Sequence, residues 1–311
     1  MYRKKRPFYP GNLQLSKTGR VRRSCQRLQH PLPLIWMSNT LAFIIMAQFI
    51  CAKELSMTKE NETTYTTAVT ETLNRHASVR SFIDKPIPHK MLNAILNAAR
   101  RSPTGSNMQT YSIIVVRDFE MRQKLAVLAG NQKHIEQCDV FVGFLADISR
   151  LALVSQMHNQ PFAKTLETTL VATVDAALVG MSVQTAAESF GLGAVMVGGI
   201  RNQPKAVAEL LNFPSGVYMV FGMSIGWPAD GAIPDPLKPR LPEAAVIHYE
   251  QYHHGEQRPF IDQYDAELAE FYNQQKRNQH PAAWSGPIAN RLNKPVRPHL
   301  REELEDLGFC F

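Results

Sequence analysis

Cysteine is scarce in this chain, with four among 311 residues and two of those, Cys25 and Cys51, in the first 56. There is no CxxC pair and no even framework, which excludes a disulfide scaffold and points to a reducing, cytoplasmic setting. Cys138 lies in an apolar run and reads as a small core residue. Long motifs of familiar chemistry are missing too. No GxGxxG follows a strand, and there is no Walker loop and no HExxH, so dinucleotide-fold dehydrogenases, P-loop enzymes and zincins lose their signatures. Charged residues make up 20% against 44% hydrophobic, with 17 Gly and 20 Pro in no repeat, which excludes a disordered or collagen-like chain. The net charge of +7 is misleading as a guide to partners. Residues 1–56 hold ten Lys/Arg and one acidic residue, a surplus of +9, so the remainder is −2. A slightly acidic body has no general electrostatic reason to hold a phosphate backbone, and no nucleic-acid partner is expected.

The first 56 residues differ in texture from the rest. Met1 to Arg27 is basic and punctuated by Gly, Pro and Ser, and Leu32 to Ala52 is apolar but interrupted by Ser38, Asn39, Thr40 and Gln48. One reading is a signal peptide or membrane anchor, with Ile50-Cys51-Ala52 a poor cleavage site. The other is upstream sequence translated from an early start codon, because Met57 opens a polar stretch typical of a mature N-terminus. On either reading, residues 57–311 form the functional domain.

Within that domain helices alternate with short apolar strands. Val69 to Arg75 is expected to be a short helix, and Pro88 stands where a first turn tolerates proline, opening a helix over Lys90 to Arg101. Ser112 to Val116, Val140 to Leu145, Ala194 to Val197 and Val217 to Ile225 are apolar, β-branched runs bounded by turn residues and read as buried strands. Leu166 to Phe190 is a long Ala-rich helix, apolar on nearly every face and closed by Gly191, so it is expected to be buried all round. Covering so apolar a helix calls for a wide core or a second subunit, which makes a homodimer the economical inference. Asp175 inside it is expected to be a satisfied buried carboxylate capping a neighbouring strand or loop. Five prolines between 228 and 242 mark an extended loop, after which Val246 and Ile247 are expected to form a terminal strand. Tyr264 to Gln275 reads as a helix, Lys276 to Pro298 as polar and irregular, and Leu300 to Leu307 as a last short helix.

The residues able to carry chemistry cluster at element ends. They are His76-Ala77-Ser78-Val79-Arg80, Thr104-Gly105-Ser106-Asn107, Gln132-Lys133-His134, Gly198-Gly199 and Lys238-Pro239-Arg240. Arg80, Lys238 and Arg240 can supply cationic donors to a phosphate, for which the guanidinium fork is well suited. A Gly-Gly pair after a strand lets backbone approach a flat ligand, and a Gln/His pair can address the polar edge of a heteroaromatic ring. His248, His253 and His254 lie close together, but with no Cys or carboxylate at ligand spacing they read as a solvated turn and no metal is expected.

In order and spacing these strings resemble the nitroreductase superfamily, in particular its oxygen-insensitive NADPH nitroreductases and NAD(P)H:flavin oxidoreductases. The resemblance runs from Thr67 to Leu307. Its markers are Arg75 to Phe82, Gln132-Lys133-His134, Ala187 to Gly193, Gly198 to Asn202, Gly226-Trp227-Pro228-Ala229-Asp230 and Leu237 to Pro242. The resemblance implies an α+β fold with a central mixed β-sheet surrounded by helices, in an intertwined homodimer binding FMN at its interface. It further implies that His76, Ser78, Arg80, Lys238 and Arg240 hold the ribityl phosphate and neighbouring polar atoms, while Ser106, Gln132, Gly198 and Gly199 line the isoalloxazine ring. The chemistry implied is ping-pong: NADPH or NADH passes a hydride to the flavin, and a nitroaromatic, quinone or free flavin then takes two electrons. Two departures stand out. Ala77 replaces the arginine of the usual His-Arg-Ser motif, removing one cation, and Met196 stands where an aromatic residue is common. Gln275 and Pro281 replace basic residues expected around the NADPH 2′-phosphate, with Lys276, Arg277 and Arg291 as compensating candidates. Arg297, after Trp284-Ser285, resembles an arginine that faces the substrate and is also read as a surface charge before Pro298.

Overall fold

The computed structural model describes residues 65–275 and 283–311. The readings placed on residues 1–56, Cys25 and Cys51 among them, and on Lys276, Arg277 and Pro281 lie outside the described residues. In chain order the helices are α1 (Ala68–Asn74), α2 (His89–Ala99), α3 (Phe119–Leu128), α4 (Lys133–Gln137), α5 (Ser149–Met157), α6 (Leu166–Ser189), α7 (Pro204–Leu210), α8 (Arg258–Gln274), α9 (Ser285–Leu292) and α10 (Leu300–Asp306). The strands are β1 (Tyr111–Val116), β2 (Val140–Asp147), β3 (Gly193–Val197) and β4 (Val217–Gly226).

The four strands pair antiparallel in the order β1-β2-β4-β3. The parallel component of the expected mixed sheet is a single bridge at the β3 edge, between Ser78 and Ala194. Strands β2 and β4 are buried along their whole length, because both faces of the sheet are covered and apolar residues are needed at every position rather than every second one. Alternate residues serve different layers. Val142 and Phe144 pack with Ile95 of α2 and Val179 and Val183 of α6, whereas Phe141 and Leu145 pack with Leu125 of α3, Ile135 of α4 and Val207 of α7.

Helix α6 is set by its two ends. Thr165 accepts from the Thr168 amide while the Thr168 hydroxyl accepts from the Thr165 amide, a reciprocal cap that satisfies two orphan donors. At the other end Gly191 takes φ +81°, the Leu192 amide donates to Ala187 and the Gly191 amide to Glu188, the paired bonds of a Schellman stop. Midway, a Cβ on Gly180 would stand 2.3 Å from Phe221 Cζ, so only glycine lets the helix lie this close to the sheet. In the single chain the expectation of burial all round is corrected. Ala172, Ala176, Val179, Val183 and Ala187 are buried, but Leu166, Leu170, Val174, Leu178 and Met181 form an exposed apolar stripe. The sheet covers one side of a cylinder only.

Three further expectations are corrected. Val246 and Ile247 are exposed and follow a short 3₁₀ turn over Glu243–Ala245; they have β-branched side chains but no strand to pair with. The Lys276 to Pro298 stretch contains α9, whose start is held by Asp265 accepting from the amides of Trp284 at 2.7 Å and Ser285 at 2.9 Å. Helices α3, α4, α5 and α7 were not expected individually; α3 carries an Asp118 cap and α7 a first-turn proline, both readable signals. Cys138 is buried as expected and its thiol is pushed up in pKa by burial.

Candidate functional site

The folded chain gathers two distant segments around one cavity of about 600 Å³. His76, Ser78 and Arg80 come from the stretch after α1, and Lys238 and Arg240 from the proline-rich loop. Val79, between them, is buried and its amide donates to the Ala194 carbonyl, so the stretch is stapled to β3 while the residues on either side of Val79 line the cavity. The opposite wall rests on α8. Lys238 donates to the Tyr272 hydroxyl at 2.8 Å, and the Tyr264 hydroxyl donates to the Pro239 carbonyl at 3.2 Å. Tyr264, Leu268 and Phe271 form, with Trp284, a small core that anchors this wall.

Among the described residues, the lining contains no Asp or Glu. Among the described residues Arg80, Lys238 and Arg240 make no ion pair; the guanidinium of Arg80 donates only to the Ser78 carbonyl, at 3.4 Å, and that of Arg240 to the carbonyls of Lys238 and Pro239. Like charges gathered without counter-ions repel one another, so this cavity is matched to an anion.

A second group of candidates continues from Arg80. His134 is buried, its Nδ1 bonds to the Ser224 hydroxyl at 3.1 Å and its Nε2 to Gln132 Oε1 at 2.9 Å. Burial, aided by the positive charge of Arg80, lowers the pKa of His134, so the ring is neutral and fixes the Gln132 carboxamide. The Gln132 amide nitrogen then donates to the Ala129 carbonyl at 2.9 Å, which leaves its second hydrogen free for a ligand. Gly199 lies against this group so tightly that a Cβ would come within 2.2 Å of the amide nitrogen and 2.5 Å of the Ala129 oxygen. Arg297 closes the line, donating to Asn202 Oδ1 at 2.9 Å and to the Gly198 carbonyl at 3.3 Å. Its reading as a free surface charge is thereby corrected. Burial and the neighbouring Arg201 and Arg291 lower its pKa, so guanidinium groups accumulate on this side of the Gly-Gly turn.

Ser106 is not brought to the cavity. It sits on an exposed turn, with φ +47° there, +56° at Asn107 and +52° at Gln109. Asp175, only 1% exposed, holds the turn by accepting from the Gly105 amide at 2.9 Å, the Thr110 amide at 3.0 Å and the Thr110 hydroxyl at 2.8 Å. That is the capping role expected of it. His248, Tyr252, His253 and His254 form a stack of ring contacts, with His248 and Tyr252 centroids 4.3 Å apart.

Sequence reasoning missed two features. Gly222-Met223-Ser224-Ile225-Gly226 fits the G-x-S-x-G pattern, but Ser224 is fully buried within β4 and turned to His134, so it is no nucleophile on an exposed strand-to-helix turn. The other is Glu188, whose side chain meets His76 at 2.6 Å across 112 residues of chain. The string around it is legible, its partner is not.

Residues 73–227 match the nitroreductase family and residues 238–311 its C-terminal domain. The chain belongs to the nitroreductase family. It is 40% identical to the oxygen-insensitive NADPH nitroreductase of Salmonella typhimurium, over 77% of this chain and 97% of that one. It is 37% identical to the FMN reductase [NAD(P)H] of Bacillus subtilis, over 78% and 97%. Among solved structures, that of B. megaterium NfrA2 superposes with a TM-score of 0.75 at 35% identity, covering 79% of this chain and 99% of the other. The NADPH:FMN oxidoreductase of Vibrio harveyi complexed with NAD+ gives 0.70 at 33%, covering 78% and 99%. As a nitroreductase-family chain it has the α+β fold that its sequence led us to expect.

Proposed function

We propose that this chain is an FMN-dependent NAD(P)H oxidoreductase, acting as a homodimer on nitroaromatics, quinones or free flavins. The observation that carries this reading is the carboxylate-free cavity where His76, Ser78, Arg80, Lys238 and Arg240 converge. Two guanidinium groups, an ammonium, an imidazole and a hydroxyl suit a phosphate monoester, whose three terminal oxygens take several donors at once. The residues therefore fit FMN by the chemistry of their donors. When bound, FMN supplies two-electron hydride exchange between a nicotinamide and an acceptor.

The chain's own part is to bind and orient. Arg80, Lys238 and Arg240 hold the phosphate end, with His76 and Ser78 beside them. Gln132, fixed by His134, offers an amide hydrogen to the polar edge of the ring, and Gly198 and Gly199 let the backbone approach its face. Arg297, tied to Gly198, is the contact for the nicotinamide or acceptor. Arg201, Arg291 and Arg297 together concentrate positive charge there, which favours a nucleotide carrying an extra phosphate, hence NADPH over NADH.

The homodimer reading rests on the exposed stripe of α6, which with Val69 and Leu73 of α1 leaves an apolar face open along the longest helix. In such a dimer the exposed turn of Ser106 reaches the ring from the second copy. A cytoplasmic location accords with the scarcity of cysteine. A related reading, a flavin reductase that hands reduced FMN to a partner protein, is favoured by the likeness to the B. subtilis FMN reductase. A flavin-binding protein of low turnover is the third, suggested by Ala77.

The test is to purify the full chain, identify any flavin that accompanies it, and mix it anaerobically with NADPH or NADH. Loss of the visible flavin absorbance, restored by a nitroaromatic, supports the oxidoreductase, and the faster nucleotide names the donor. Restoration by free FMN alone selects the flavin reductase. A yellow protein that neither nucleotide bleaches selects the low-turnover reading, and a colourless one that takes up no FMN overturns all three.

A further inference from the structure

Glu188 stands in the last turn of α6, where the helix dipole presents its negative end and a carboxylate is out of place. Its side chain is only 12% exposed. A residue that breaks both local rules needs a compensating partner, and the partner is His76. Glu188 Oε1 lies 2.6 Å from His76 Nδ1, a charge-assisted length, and also accepts from Gln184 Nε2 at 3.2 Å. Gln184 is buried, one turn earlier on the same helix, and its amide nitrogen lies within hydrogen-bond distance of both ring nitrogens, 2.8 Å from Nδ1 and 3.4 Å from Nε2. The carboxylate is thus held by the helix, and the imidazole by the carboxylate.

The two residues face different spaces. His76 lines the cationic cavity, while Glu188 lines a neighbouring one of about 490 Å³ together with Arg75, Ala77 and Gly193. The ring is a partition, with an acceptor behind it and the anion cavity in front.

We propose that Glu188 is a positioning residue of the cofactor site: through His76 Nδ1 it fixes the ring so that Nε2 is presented to the phosphate end of the ligand. This rests on the FMN reading above. With Glu188 bound at Nδ1, Nε2 is the ring nitrogen left for an oxygen of the ligand. The groups around that ring are Glu188 and Gln184 from α6, Ser78 and Arg80 on its own segment, and Lys238 and Arg240 across the cavity. Of the groups just named, Glu188 is the one carboxylate.

The experiment is a double-mutant cycle on FMN affinity, read by quenching of flavin fluorescence in the full chain, with thermal melting to check folding. Glu188→Gln and His76→Asn are each expected to weaken FMN about tenfold, and the double variant to be no weaker than His76→Asn alone, because Glu188 acts through the ring. Glu188→Gln leaving FMN affinity unchanged, or the two losses multiplying in the double variant, would overturn the proposal. A wild-type chain that takes up no FMN overturns the FMN reading and this proposal with it, which separates that failure from the others. Should Glu188→Gln not fold, nitrogen-15 NMR of the wild-type histidines decides: hydrogen on Nδ1 of His76 is the expected result. A His76 ring carrying hydrogen on Nε2 alone without ligand would overturn it.

Discussion

Replacing Gly199 by alanine tests whether the candidate ring site is packed as tightly as its distances imply. The new Cβ would stand 2.5 Å from the Ala129 carbonyl oxygen and 2.2 Å from Gln132 Nε2, both inside the 3.0 Å that real Cβ atoms essentially never cross. The carbonyl cannot retreat, because Ala129 is buried and its amide is bound to Leu125 at the end of α3. Gln132 can move, but only by leaving Ala129 and His134, to each of which it bonds at 2.9 Å. Overpacking costs about 1–3 kcal/mol and each lost hydrogen bond about 0.5–1.5 kcal/mol, so a loss of about 3 kcal/mol is expected. For a domain of this size that is a fall in melting temperature of roughly 6–12 °C. Gly198→Ala is the control. Its Cβ would meet Arg201 Nη2 at 3.5 Å, an ordinary contact, so a change within about 0.5 kcal/mol is expected. The assay is calorimetric melting of flavin-free full chain at one protein concentration, so that association between copies does not enter the comparison. Equal melting temperatures for Gly199→Ala and wild type, or equal falls for the two variants, would refute the packing argument.

Arg80→Ala should weaken FMN retention by about 1.5–3 kcal/mol, roughly 10- to 150-fold, through loss of a charge-assisted bond; unchanged flavin content after dialysis refutes that role. His134, with its pKa lowered by burial and by Arg80, gives stability a defined pH dependence. Its folded pKa lies below the ordinary value of about 6.5, so its contribution is complete above that value and is lost as pH falls below it, where the unfolded chain takes up a proton the folded one does not. Melting between pH 7.5 and 5.5 should therefore fall more steeply for wild type than for His134→Asn, and parallel curves would contradict the assignment. Val174→Glu, on the exposed stripe of α6, should convert dimer to monomer in sedimentation analysis, whereas a variant that remains dimeric would show that the interface lies elsewhere.

The strands and α6 were legible because their signals are local. A β-branched run between turn residues and a long apolar helix ending in glycine each carry their own boundary conditions. Where a signal depends on a distant partner, sequence reasoning failed. Val246 and Ile247 look like a strand and have nothing to pair with, and α9 takes its cap from Asp265, about twenty residues earlier on α8. The same division runs through the site. The donors of the anion cavity were readable because Arg, Lys and His announce their chemistry, and the family resemblance supplied their order. Glu188 was quoted within a marker string and left without a role, since nothing within four residues of it says that His76 stands 2.6 Å away.

Several positions of the candidate site break local rules of chain structure. Ser106 and Arg297, chosen from sequence for other reasons, both adopt left-handed backbone, at φ +47° and +54°, which non-glycine residues avoid at a cost of about 1–2 kcal/mol each. Each is held by a dedicated support: the Ser106 turn by the buried carboxylate of Asp175, and Arg297 by Asn202 and the Gly198 carbonyl. Among the described residues Arg80, Lys238 and Arg240 are gathered without counter-ions, and Glu188 sits at the wrong end of a helix dipole. None of these choices stabilises the chain alone. Left-handed backbone also occurs at Asn131, Asn159, Asn212 and Glu250, so strain by itself marks no site; what sets the line from His76 through Gln132 to Arg297 apart is that strain and gathered positive charge coincide there, whereas the Ser106 turn stands away from it.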